Sequence, residues 1–161
     1  MKKRVVALFA ALVSVFGFGL ANSGSAVALT NPHSLLGYNG CGTPKGNSTA
    51  NGTIVTLWEC TGSNLQQWSY QDAHIVHSAS GKCLTPQGNA SGTNGTVLTL
   101  WTCDWSSTSP QRFVQATNPL RVYTQWGGKC ITNKGGSLSN GTYLTLWTCA
   151  SGNVPEQTWD A

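Results

Sequence analysis

Beyond residue 28, no stretch of the chain sets its apolar residues at the 3.6-residue spacing of an amphipathic helix. They come instead in short runs rich in β-branched and aromatic side chains. Thr53-Ile-Val-Thr-Leu-Trp58 is one run, and Thr96-Val-Leu-Thr-Leu-Trp101 and Thr142-Tyr-Leu-Thr-Leu-Trp147 are its copies. Each has the length and composition of a strand. Each follows Asn-Gly, at 51–52, 94–95 and 140–141, the best two-residue hairpin turn signal. The pattern predicts an all-β protein.

The copies belong to a longer repeat. The three tryptophans stand at 58, 101 and 147, so the period is 43 and then 46 residues. An earlier element recurs as Gly81-Lys-Cys-Leu-Thr85 and Gly128-Lys-Cys-Ile-Thr132, with a degenerate first copy, Asn39-Gly-Cys-Gly-Thr43. A later element recurs as Gln66-Gln-Trp68, Gln111-Arg-Phe113 and Gln157-Thr-Trp159. Three elements in the same order three times divide the chain into repeats of about 35–72, 73–118 and 119–161. Asn-Gly-Thr also matches the N-glycosylation sequon three times. Its fixed place in each repeat favours a turn.

The cysteines follow the repeat, as Cys41 and Cys60, Cys83 and Cys103, Cys130 and Cys149. Six cysteines allow fifteen connectivities. Repeat symmetry favours the one that closes each pair within its own repeat. Loops of this size are worth roughly 3 kcal/mol each on the chain-entropy account. A zinc site competes, but no C-x-x-C pair or Cys/His cluster supports it.

The N-terminus changes the charge balance. Lys2, Lys3 and Arg4 precede an apolar run from Val5 to Leu20, then small residues ending Ala26-Val27-Ala28. This is the pattern of a secretory signal peptide over residues 1–28, cleaved after Ala28. An uncleaved anchor is the alternative, but the run is short and interrupted by Ser14, Gly17 and Gly19. The whole chain carries +4 from nine bases and five acids. Removing the segment leaves six bases against five acids, a net of +1. No basic patch then argues for nucleic acid or an anionic membrane. Low charge with seven tryptophans also argues against disorder. Residues 29–161 read as one secreted domain held by disulfides.

These elements resemble the ricin B-type lectin family, over nearly all of residues 35–161. The likeness rests on Gln-x-Trp near each repeat's end, Gly-Lys-Cys-Leu near its start, and Asn-Gly-Thr with Leu-Trp-x-Cys between. It implies a β-trefoil, a six-stranded barrel capped by three hairpins, with one sugar site per repeat. It implies that Gln66 and Trp68, Gln111 and Phe113, and Gln157 and Trp159 are structural. It implies aromatic platforms at Trp58, Trp101 and Trp147. The family's acid, two residues after the first cysteine, is replaced by Thr43, Thr85 and Thr132. The polar residue two before the platform, often Gln, is Thr56, Thr99 and Thr145. The Asn that commonly precedes Gln-x-Trp is Leu65, Pro110 and Glu156. A carboxylate accepts two charge-assisted hydrogen bonds from adjacent sugar hydroxyls, whereas threonine is neutral and offers one donor. The expectation is therefore weak carbohydrate binding per site at these nine residues, strengthened on polymers, by a monomer needing no cofactor or metal.

An enzyme reading finds little. None of the acids Glu59, Asp72, Asp104, Glu156 and Asp160 recurs in all three repeats. Glycoside hydrolysis needs two carboxyls at a fixed separation. No G-x-S-x-G element appears. His74 and His77, three apart in a strand, would face opposite sides and make a poor metal pair. The rival function is a protein-interaction module or hydrolase inhibitor. That would use one unique loop, Asp104–Pro110 or Gly135–Ser139, rather than symmetric tryptophans.

Overall fold

The computed structural model describes residues 33–161, so the predicted signal segment lies outside the described residues. Thirteen short strands form three antiparallel sheets. They are β1 (His33–Ser34), β2 (Leu36–Gly37), β3 (Gly40–Pro44), β4 (Val55–Trp58), β5 (Gln67–Gln71), β6 (His74–His77) and β7 (Lys82–Pro86). Then come β8 (Leu98–Trp101), β9 (Phe113–Thr117), β10 (Leu120–Thr124), β11 (Lys129–Asn133), β12 (Leu144–Thr148) and β13 (Trp159–Asp160).

Each sheet contains the same four-strand meander, β5-β6-β7-β8, β9-β10-β11-β12, and β13-β2-β3-β4, and β1 adds a fifth strand beside β5 in the first. The Gln-x-aromatic element that ends one sequence repeat thus opens the sheet of the next. The third sheet is built from both ends of the described chain. Trp159 pairs with Gly37, and its ring lies where a Cβ on Gly37 would stand.

The sheets close on each other in a ring. The amides of Gly52, Gly95 and Gly141 donate to the carbonyls of Leu100, Leu146 and Leu57. The amides of Leu100, Leu146 and Leu57 in turn donate to Thr53, Thr96 and Thr142. Each repeat therefore bonds to the next and the third returns to the first, which is the β-trefoil arrangement. Asn-Gly does not form the predicted two-residue hairpin loop. It occupies the centre of a turn, Ala50 to Thr53 in the first copy, inside the longer connection from β3 to β4. Gly52 has φ +83°, which a turn with glycine at its third position requires. The turn's free groups serve the neighbouring repeat, as Asn51 Nδ2 does on Thr102 at 3.2 Å.

The core lies on the common axis. Val55 and Leu57, Leu98 and Leu100, and Leu144 and Leu146 are fully buried there, one pair from each copy of the strand run. Trp68, Phe113 and Trp159 fill equivalent places around them and are also fully buried. Disulfides Cys41–Cys60, Cys83–Cys103 and Cys130–Cys149 each close within one repeat.

The three repeats differ at one buried ladder position. Pro44 and Pro86 end β3 and β7, opposite Val55 and Leu98. The third copy has Asn133 opposite Leu144. Asn133 is fully buried, and neither Oδ1 nor Nδ2 has a partner. Its φ of −67° is already that of proline, close to −62° and −60° at Pro44 and Pro86. Asn133→Pro should therefore remove an unsatisfied buried amide and reduce unfolded-chain entropy together. The expected gain is about 1 kcal/mol, read as a Tm several degrees higher; a lower Tm would show that the Asn133 amide does bond within the fold.

Candidate functional site

Each repeat carries one open pocket beside its platform tryptophan. The first, about 500 Å³, is lined by Thr43, Thr56, Trp58 and Gln66, with Lys45-Gly46-Asn47 as a rim and Thr61, Ser63 and Leu65 opposite. The second, about 260 Å³, combines Thr85, Thr99 and Trp101 with the rim Gln87-Gly88-Asn89. The third, about 290 Å³, combines Thr132, Thr145, Trp147 and Gln157 with the rim Lys134-Gly135-Gly136 and Glu156. All nine sequence-predicted residues are thus brought together, three to a pocket.

Strand register explains the grouping. Trp58 pairs with Cys41, and Thr43 with Thr56. The second and third repeats repeat this register as Cys83 with Trp101 and Thr85 with Thr99, and as Cys130 with Trp147 and Thr132 with Thr145. Residues two apart in paired strands share a face, so the tryptophan stands over the threonine pair. Trp58, Trp101 and Trp147 are 45%, 49% and 51% exposed. One ring edge of each faces the turn glycine of another repeat: Gly141 for Trp58, Gly52 for Trp101, Gly95 for Trp147. About half of each side chain remains in solvent.

The threonines are floor rather than donors. Thr43, Thr85 and Thr132 donate their hydroxyls to the carbonyls of Cys41, Cys83 and Cys130 at 2.8–3.0 Å. Thr56, Thr99 and Thr145 donate to the carbonyls of Thr43, Thr85 and Thr132 at 3.0–3.2 Å. All six are buried. The single hydroxyl proton that each was expected to offer a ligand is already spent on the backbone; what remains to offer is a lone pair.

The glutamine of Gln-x-aromatic explains part of this. Gln66 Nε2 donates to Thr43 Oγ1 at 2.9 Å and to the Glu59 carbonyl at 2.8 Å, while its Oε1 accepts from the Thr61 amide. Gln111 makes the same three bonds to Thr85, Thr102 and Asp104. Gln157 makes them to Thr132, Thr148 and Ala150. Each glutamine therefore ties the segment after the platform to the pocket floor.

The rim was missed by the sequence reading in the first two repeats. In the third, that reading assigns Gly135 and Gly136 to the start of a unique loop, whereas they are the counterparts of Gly46-Asn47 and Gly88-Asn89. Lys45-Gly46-Asn47 and its two counterparts are exposed and begin two residues after the floor threonine. Their signal was a third recurrence, Lys-Gly-Asn, Gln-Gly-Asn and Lys-Gly-Gly. Gly46, Gly88 and Gly135 lie at φ of +63° to +66°, which only glycine adopts without strain.

The histidines stand apart from the pockets. His77 is buried against Trp68, with its rings 4.8 Å apart, and its nitrogens meet Ser80 and the Leu65 carbonyl. Burial pushes its pKa below the usual histidine value. Both nitrogens of His74 meet carbonyls, of Asp72 and Asp104.

A solved exo-β-1,3-galactanase from Clostridium thermocellum superposes with a TM-score of 0.68 at 22% identity, covering 81% of this chain and 30% of that one. A non-toxic homologue of type II RIPs from Momordica charantia, in complex with α-methyl-D-galactoside, gives 0.65 at 22%, covering 80% and 46%. The C-half of an earthworm R-type lectin, in complex with GalNAc, gives 0.60 at 14%, covering 80% and 93%. The chain thus spans less than half of the first two proteins, and these likenesses show the fold. No curated protein sequence matches. The family model described as a ricin-type beta-trefoil lectin domain matches residues 29–104 and again 74–161, so the chain belongs to the ricin-type β-trefoil lectin family.

Proposed function

We propose that this chain is a secreted carbohydrate-binding module whose three pockets each hold one sugar unit, weakly alone and more firmly along a polymer. The observation that carries the reading is the half-exposed tryptophan over a buried polar floor, repeated three times by one fold symmetry. An indole face covers the apolar C–H side of a pyranose ring, and the floor and rim supply a few hydrogen bonds. The earthworm and Momordica complexes support a sugar as the ligand class. Three disulfides and a lectin domain fit an extracellular protein. Export with removal of residues 1–28, and action as a monomer without catalysis, complete the proposal.

With one stacking surface and few directional bonds, each site should bind near the millimolar range, about 4 kcal/mol. Linked sites can then raise polymer affinity roughly 100-fold or more. Single Trp58→Ala, Trp101→Ala and Trp147→Ala variants should each weaken retention in polysaccharide-containing gels, and a double variant should nearly abolish it. Circular dichroism should show all of them folded. Unchanged retention in folded variants sinks the assignment of these sites. Loss confined to changes in Asp104–Pro110, where Trp105 is half exposed, would instead favour the interaction-module reading.

A further inference from the structure

The three pockets share a plan but not a charge. The first holds Lys45 on its rim and has no carboxylate among its lining residues. The second has no charged lining residue at all. The third sets Lys134 in the same pocket as Glu156. The residue before Gln-x-aromatic makes this difference, since Leu65 stands in the first pocket where Glu156 stands in the third.

Lys45 is also held in position. Its Nζ donates to the Tyr143 hydroxyl at 2.8 Å and lies 4.9 Å from the centre of that ring. Tyr143 comes from the third repeat and is bridged to Thr56 on the floor of the first pocket. Lys134 Nζ also approaches this ring, at 5.8 Å from its centre. The Lys45 hydrogen bond and charge hold the Tyr143 phenol below its ordinary pKa, as expected when an ammonium group sits on it. The one ion pair among the described residues is Arg112 with Asp72, so Lys45 has no carboxylate within 4 Å. Glu59 follows the platform in sequence but does not line the pocket. A positioned ammonium without a counter-ion loses less freedom on binding an anion than a free-swinging one. The first pocket also has the volume for a ring substituent that the other two lack, about 500 Å³ against 260 and 290 Å³.

We propose that the first pocket is an anionic-sugar subsite, in which Trp58 stacks on the ring and Lys45 meets the carboxylate of a uronic acid or the sulfate of a sulfated sugar. It rests on the carbohydrate reading above. The second pocket takes uncharged units of the same chain. Lysine supplies a point charge with rotatable donors rather than a planar fork, so carboxylate and sulfate are both met.

The test compares binding of polygalacturonate and of its fully methyl-esterified form, and of a sulfated galactan and its desulfated form, at low and high salt. The wild-type protein should bind at least one anionic polymer about tenfold more tightly than its neutral partner, and the difference should shrink at 1 M salt. Which pair shows it tells uronate from sulfate. Lys45→Gln, which places there the residue present at Gln87, should lower binding of the anionic polymer to that of its neutral partner and so erase the preference. Tyr143→Phe should reduce it. Lys82→Gln changes net charge equally but lies outside all three pockets, and should leave the preference unchanged. A preference that survives Lys45→Gln, or falls equally in Lys82→Gln, overturns the subsite. Neutral polymers bound with no anionic preference overturn the subsite alone. Failure to bind any polymer overturns it together with the carbohydrate reading.

Discussion

Trp68→Ala should cost about 3–5 kcal/mol, the usual loss for a fully buried large aromatic, whereas Trp58→Ala should cost well under half of that. Trp68 is fully buried, touches His77, and donates its Nε1 to the Gly42 carbonyl at 2.9 Å. Alanine there opens a cavity and leaves that carbonyl without its donor. The equivalent residues make the position's rules visible. Phe113 fills the second copy without any indole nitrogen, and Trp159 fills the third with a buried Nε1 that has no partner. Trp68→Phe should therefore destabilise through a lost hydrogen bond, while Trp159→Phe removes an unsatisfied donor and should be close to neutral. Thermal unfolding of the four variants checks the order. Equal losses for Trp68→Phe and Trp159→Phe would mean that volume alone governs these positions.

The strand runs, the threefold repeat and the cysteine pairing were legible because each copy confirms the others by position. The roles inside the repeat were less legible. Sequence reading weighted the aromatic of Gln-x-aromatic, yet the glutamine is the letter common to all three copies, and the structure gives it the same three hydrogen bonds each time, with a fourth from the Thr61 hydroxyl to Gln66. Asn-Gly gave a sound turn signal and a wrong loop length. Its geometry is local, but its partners Leu100, Leu146 and Leu57 lie in another repeat, and no local pattern carries that information. Thr43, Thr85 and Thr132 were placed in the right pocket, but where their protons go depends on backbone carbonyls that a sequence does not locate. The rim was overlooked because glycine and asparagine read as loop composition until the fold turns them toward the tryptophan.

Full reduction should unfold the domain and abolish polysaccharide retention together. Each bridge spans 19 or 20 residues, and a loop of that size constrains the unfolded chain by about 3 kcal/mol. Three such constraints rival the whole stability of a small domain, about 5–15 kcal/mol. Hydrophobic burial has little left with which to offset them, because the strands are short and many side chains are Gly, Ser, Thr and Asn. The bridges also act locally on the pockets. Cys41 pairs across the ladder with Trp58, and Cys60 lies two residues beyond that platform. The disulfide thus fixes both ends of the segment that presents the indole, and the second and third repeats use the same device. Cys41, Cys83 and Cys130 are fully buried, whereas Cys60 is exposed. A thiol reagent can therefore reach the first bridge from outside without prior unfolding. Partial reduction should open Cys41–Cys60 first and weaken polymer binding before the circular dichroism changes. Cys60→Ser with Cys41→Ala should reproduce that intermediate, with a lower Tm and the second and third pockets still binding. If the fully reduced protein keeps its native spectrum and its retention, burial alone holds the fold and the bridges are dispensable to both.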